Sequence, residues 1–180
     1  MGREQLAHQI RAAFADVAPP PNWSLTEGTE GPELLVAQEF QDKSDWRTLE
    51  PSFLSGAPQG YSSALNFFSA EALRFYLPAY MLADLDKKLD QVDLVFHLCH
   101  NLQDASKATR INERRYGERT WFDHAQFRFS VFTAREVAAI VEFLETKNTS
   151  PTDTLDGEMI AGALANYWLP RAHALLLRGT

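Results

Sequence analysis

The sequence predicts a mainly α fold: a single compact helical domain, residues 1–180, built around a kinked central helix with at most a small strand pair. Three observations lead there. The stretch Phe67 to Leu85, FFSAEALRFYLPAYMLADL, is the longest apolar segment and is apolar nearly all round at helical spacing, the pattern of a buried helix. Thr133 and Glu136 form a T-x-x-E capping box, Phe132 and Val137 stand where a hydrophobic staple would, and Val137, Ile140, Val141 and Leu144 supply an inward stripe. Alternation at period two is confined to one short, weak run.

Ser69 is placed as the N-cap of the central helix, with Glu71 in the first turn where the helix dipole favours an anion. Leu73, Leu77, Met81 and Leu85 form one apolar row, widened by Tyr76 and Tyr80. Glu71, Arg74 and Pro78 make a narrow polar stripe. Pro78 has no N–H, so the Arg74 carbonyl loses its helical donor, and the helix is expected to kink or restart there with that carbonyl facing water.

Upstream, Leu6, Ile10, Phe14 and Val17 mark an amphipathic helix that must stop before Pro19-Pro20-Pro21. Pro19 to Pro32 reads as a surface loop, and Glu33 to Phe40 as a short second helix. A connector runs from Asp45 to Gly60, broken by Pro51, Gly56 and Pro58, with Trp46 and Phe53 as its anchors to the core. Tyr61 to Phe68 is expected to lead in extended form to the central helix.

Downstream, DLDKKLDQ is a charged exposed segment, and Val92, Val95, Phe96, Cys99 and Leu102 set the inward stripe of another helix. Lys107 to Arg119 reads as a solvated helix end plus loop, with Gly117 as breaker. Phe127, Phe129 and Val131 give the weak strand signal. After the capped helix come the loop Asn148 to Thr154 and a helix carrying Met159, Ile160, Ala163, Leu164, Tyr167 and Trp168. Pro170 is expected to end or kink it, with Ala172 to Leu177 adding a last turn or two. The total is about five to seven helices at usual helix lengths.

Composition narrows the function classes. With 24 acidic and 17 basic residues the formal net charge is −7, which argues against a general nucleic-acid or anionic-membrane binder. Cys99 is the single cysteine, so no internal disulfide is possible, and a reducing compartment fits. The N-terminal segment is charged and amphipathic, unlike a secretion signal, and Leu6 stands where a myristoylation signal wants Ser or Thr. Together these predict a cytoplasmic protein without a membrane span.

Five segments carry a family resemblance: AFADVAPPPN (Ala13 to Asn22), DWRTLEPSFL (Asp45 to Leu54), SAEALRFYLPAYMLADL (Ser69 to Leu85), FTAREVAAIVEFLE (Phe132 to Glu145) and ALANYW (Ala163 to Trp168). In this order they resemble a family of small bacterial proteins of unknown function, RFYLPAYM being the specific part. The resemblance implies a stand-alone bacterial cytosolic domain and assigns no catalytic residue.

Chemical candidates are few. Asp93, His97, His100 and Asp104, at i, i+4, i+7 and i+11, would share one face of a helix from Asp90 to Asp104 and offer a divalent metal two imidazoles and two carboxylates, with Asp123 and His124 as further suppliers. The wet face of an amphipathic helix has the same pattern, and no H-E-x-x-H spacing is present. Cys99 lies on the inward stripe and reads as a core thiol rather than a nucleophile. Lys107, Arg110, Arg114, Arg115 and Arg119 could contact phosphate, but Glu113 and Glu118 interleave with them, as on an ion-paired solvated face. No G-x-S-x-G, Walker A or G-x-G-x-x-G motif occurs. Tyr61, Phe67, Phe68, Trp121, Phe122 and Tyr167 are interface anchors if any stays exposed.

Two functions follow. The first is a small cytosolic interaction protein with no cofactor and no catalytic machinery, regulating or neutralising a partner protein whose surface is basic. The alternative is a metal-dependent hydrolase on the His97/His100 face.

Overall fold

The computed structural model describes residues 2–57, 63–149 and 154–178, with Arg115 and Thr154 described by backbone alone. The described residues are mainly α-helical and contain no strand, only two isolated bridges, Thr26 with Phe68 and Arg110 with Thr120. The chain divides into two compact units, Gly2–Leu94 and Val95–Thr180.

In the first unit, α1 (Arg3–Ala13) buries Leu6 and Ile10 and hands over to buried Phe14. α2 runs Gly31–Phe40, two residues longer at its start than the sequence indicated, because Gly31 takes φ 58° and Pro32 suits a first turn that needs no N–H. The connector after Asp45 also winds up. The Asp45 carboxylate accepts from the Arg47 amide at 3.0 Å to open a 3-10 turn, Trp46–Thr48, and Pro51 starts α3 (Pro51–Gly56). Trp46 is an anchor as expected, whereas Phe53 is half-buried and Leu54 carries the core contact. Of the segment expected to be extended, Tyr61 lies outside the described residues, and Ala64–Asn66 is a 3-10 turn.

α4 (Ala70–Leu85) is the buried helix of this unit. The Ser69 hydroxyl accepts from the Ala72 amide at 3.1 Å and donates to the Ser24 carbonyl, so one residue caps the helix and ties down the 22–26 loop. Tyr76 forms an aromatic cluster with Phe40, Phe68 and Phe75 at centroid distances of 4.9–5.0 Å. Its hydroxyl donates to the Lys43 carbonyl at 2.9 Å, closing the end of α2.

Two expectations for α4 are corrected. Pro78 is buried rather than on a water-facing stripe, and the helix continues through it without restarting. The pyrrolidine ring is itself apolar, and packed as it is here it acts as another core side chain. The exit from α4 is a Schellman motif: the Lys88 amide donates to the Ala83 carbonyl at 2.9 Å and the Lys87 amide to the Asp84 carbonyl at 2.9 Å. Lys87, at φ 55°, occupies the left-handed position that glycine usually takes.

In the second unit, α5 (Leu94–Cys99) is followed by a 3-10 turn, His100–Leu102, then α6 (Asp104–Ala108) and α7 (Glu113–Tyr116), which ends at Gly117 with φ 63°. Leu98 faces the core and Phe96 is 41% exposed, so Phe96 does not belong to the inward stripe. The weak strand signal is overturned. Phe127 and Phe129 belong to α8 (Trp121–Phe129), started by a Thr120/Asp123 capping box whose amide bonds are 2.9 and 3.1 Å. Asp in place of Glu at the third helical position hid this box in the sequence.

α9 (Ala134–Asn148) has the expected start, with the Glu136 carboxylate accepting from the Thr133 amide at 2.8 Å and both Phe132 and Val137 buried. α10 (Thr154–Ala163) widens into a π turn, Leu164–Trp168, and continues as α11 (Leu169–Arg178). Pro170 therefore does not end the helix. The Leu169 amide reaches back to the Leu164 carbonyl, five residues away, and the wider turn accommodates the proline that follows. Trp168 is fully buried among Phe129, Phe132 and Tyr167, and its indole N–H donates to the Leu98 carbonyl at 3.1 Å.

Candidate functional site

The helix that would carry the metal face is shorter than the Asp90 to Asp104 span expected. The Gln103 side-chain amide donates to the Cys99 carbonyl at 2.8 Å and to the Met159 carbonyl at 2.9 Å. It thus takes the acceptor that the Gln103 backbone amide would have used in a continuing helix. The amide group lies directly against Gly162, where a Cβ would collide with it. As a result Asp93 precedes α5, His97 lies within it, His100 is in the 3-10 turn and Asp104 opens α6.

Each of these side chains also has other company. His100 is exposed and stacks on Phe96 at 4.3 Å, while His97 meets the edge of the same ring at 5.9 Å. Lys107 donates to Asp104 at 2.8 Å, and that bond holds the Asp104 carboxyl below its ordinary pKa. Asp123 is committed to the Thr120 cap and His124 meets the edge of Trp121. Among the described residues no three His, Cys, Asp or Glu side chains are grouped so as to hold a metal ion.

The basic segment is an exposed, ion-paired surface. Arg110 reaches Glu113 at 3.0 Å and Glu118 at 3.5 Å, and Lys107 also donates to Asn166 at 2.7 Å. Exposed pairs of this kind are worth up to about 1 kcal/mol each. Cys99 is fully buried and carries no disulfide.

Two buried polar atoms at the π turn have no hydrogen-bond partner among the described residues, as Trp46 Nε1 and the Tyr80 hydroxyl have none in the first unit. A cleft of about 290 Å³ is lined by Gln126 and Ser130 of α8, Asn166 and Tyr167 of the π turn, and Pro170 and Arg171 of α11. Arg171 donates to the Ser130 carbonyl at 2.8 Å through Nη2, while its Nε is shielded from water and finds no acceptor among the described residues. The Tyr167 hydroxyl is in the same position, on a residue only 6% exposed. Burial pushes the phenol up to about 12, with Arg171 pulling against it, so Tyr167 is a neutral donor at any physiological pH.

α11 itself buries no residue, yet exposes Leu169 at 45% and Leu176 at 67%, seven positions apart on one face. Of the aromatic anchors expected from sequence, Trp121 is 39% exposed, Phe68 and Tyr167 are buried, and Tyr61 lies outside the described residues. Sequence reasoning missed the leucines because the run was treated only as a helix end. In the other unit, a cleft of about 210 Å³ lies against α4, with Arg11, Arg47, Leu49, Leu82 and Asp86 among its walls. Arg47 stacks on Trp46 and Arg3 holds Asp86 at 2.8 Å.

These features define an all-α protein with an exposed C-terminal helix face and a polar cleft at a π turn. The chain belongs to the DUF6714 family, a family of unknown function, which it matches over residues 2–172. No curated protein and no solved structure matches it. Among the described residues no helix is long and apolar enough to cross a membrane.

Proposed function

We propose that this is a bacterial cytoplasmic interaction protein that binds, and so regulates or neutralises, another protein. The observation that supports the reading is the apolar face of α11: ten residues, none buried, with Leu169 and Leu176 open to solvent. Amphipathic helices present such faces to protein partners, reading through positions i, i+3, i+4 and i+7. The net charge of −7 favours a partner with a basic surface, through attraction that speeds encounter. The hydrolase alternative would need Asp93 before α5, His97 within it, His100 in the 3-10 turn and Asp104 at the start of α6 to converge on one ion.

The test has two stages. A protein retained from native bacterial lysate is purified and its affinity measured against the wild type and a Leu169→Glu/Leu176→Glu variant. Loss of at least tenfold in the variant, with an unchanged circular dichroism spectrum, is the expected result. Equal affinity, or a detected turnover with no retained protein, would overturn the reading.

A further inference from the structure

The cleft at the π turn has a donor inventory that points to one kind of ligand. Ser130 Oγ already donates to the Phe127 carbonyl at 2.7 Å. The Asn166 side chain is used on both ends, giving to the Leu102 carbonyl at 3.0 Å and accepting from Lys107 at 2.7 Å. What is left over is rich in donors: the buried Tyr167 O–H and Arg171 Nε–H, beside the exposed carboxamide of Gln126, which can donate or accept. Among the described residues no carboxylate pairs with Arg171. Buried donors without acceptors are rare, and a partly buried guanidinium is normally matched by an anion.

We propose that this cleft is a binding site for a small monocarboxylate. Turned out from the Ser130 carbonyl, Arg171 offers a side-on fork through Nε and Nη2, the geometry that takes both oxygens of a carboxylate. Tyr167 adds a third donor, and Gln126 lines the same cleft. A carboxylate of single negative charge neutralises the one guanidinium, whereas a phosphate dianion would leave a charge uncompensated in a half-buried cleft. The volume exceeds the roughly 150 Å³ that accommodates a benzene ring, so the ligand has room for a compact organic body against Pro170. Arg171 is half-exposed and serves as the movable lip, its head turning to uncover the two shielded donors. The π turn is the cause of the arrangement. By adding one residue to the turn before Pro170 it sets Tyr167 and Arg171 on the same side, and such turns recur at functional sites. The site stands whether or not α11 docks a protein.

Titration of the purified chain with sodium acetate, sodium benzoate and inorganic phosphate, against sodium chloride at matched ionic strength, tests the assignment. Thermal midpoint and isothermal calorimetry are the readouts, since a ligand that binds only the folded state raises the midpoint. The expected result is saturable binding of acetate or benzoate in preference to phosphate. Binding weakens at least tenfold in Arg171→Gln and several-fold in Tyr167→Phe, and is unchanged in Arg114→Gln, an exposed arginine elsewhere. Should Arg171→Gln not fold, Tyr167→Phe, which keeps the ring, decides alone. No saturable response to either carboxylate, a preference for phosphate, or binding by the tyrosine and arginine variants as tight as by the wild type would overturn the proposal.

Discussion

Among the described residues two helices carry an interior proline, and they resolve it differently. In α4, Pro78 sits in a regular α-helix and is buried. In the helix that runs from α10 into α11, Pro170 is exposed and is preceded by a π turn. The chemistry of the insult is the same, one missing N–H and one ring pressed toward the preceding turn. The difference lies in what surrounds it. α4 is enclosed nearly all round, so distortion would open its packing. The π turn keeps Tyr167 and Trp168 in the core while α11, which has no buried residue, carries Pro170 at the surface, so the change of winding falls where the helix passes from core to surface, beside the cleft.

The largest effect that sharpens this contrast is expected in the cores beside the prolines. Trp168→Ala removes a fully buried indole and its bond to the Leu98 carbonyl, and should cost about 3–5 kcal/mol. Leu77→Ala, in the fully buried row of α4, should cost about 2–5 kcal/mol. Denaturant melts measure both. A loss below about 1 kcal/mol at either position would mean that its helix face is less well packed than described.

The proline variants come next and should differ in size. Pro170→Ala restores a donor at an exposed position and should stabilise by about 1 kcal/mol, part of the roughly 3 kcal/mol separating the two residues in a helix interior. At Pro78 the regained bond is opposed by loss of buried ring methylenes worth about 0.8 kcal/mol each. Pro78→Ala should therefore fall within about 1 kcal/mol of wild type. Equal stabilisation at both sites would remove the distinction drawn between the two helices.

The smallest effect concerns pH and the cap of α8. Hydrogen bonds from the Thr120 amide and hydroxyl hold the Asp123 carboxyl below its ordinary value of 3.8. A depressed carboxyl contributes stability that is fully present above 3.8 and is lost as pH falls through the folded-state value. Asp123→Asn should lose a small part of the stability in the neutral region and none below the folded-state value, so that the acid limb of the stability curve flattens. Because Asp123 is exposed, water screens much of the effect, and an acid limb of the same steepness in the variant would show that the cap does not supply it.

What was legible in the sequence rests on short reach. Ser69, and the pair Thr133 and Glu136, announce helix starts because a side chain three residues away is within bonding distance once the turn forms. The apolar stripes of α1, α4 and α9 are equally local in origin. The site was less legible. The cleft residues Gln126, Ser130, Tyr167 and Arg171 come from two helices well separated in sequence, and no spacing rule connects them.

The sequence by itself determined that this chain is helical, where its best-capped helices begin, and that Cys99 and the central row of leucines turn inward. Tertiary structure decided the rest through partners far along the chain. Gln103 ends α5 by holding the Cys99 carbonyl while bonding Met159, 56 residues on, so Asp93, His97, His100 and Asp104 are spread over three elements and the segment before them rather than along one helix. Phe127 and Phe129 are helical because the Thr120 cap and the burial of Ala125 and Phe129 outweigh a short alternating pattern. Pro78 is a core residue and Pro170 a surface residue beside a cleft for one reason: the energy of a proline in a helix depends on what packs around it, and that is settled only when distant segments meet.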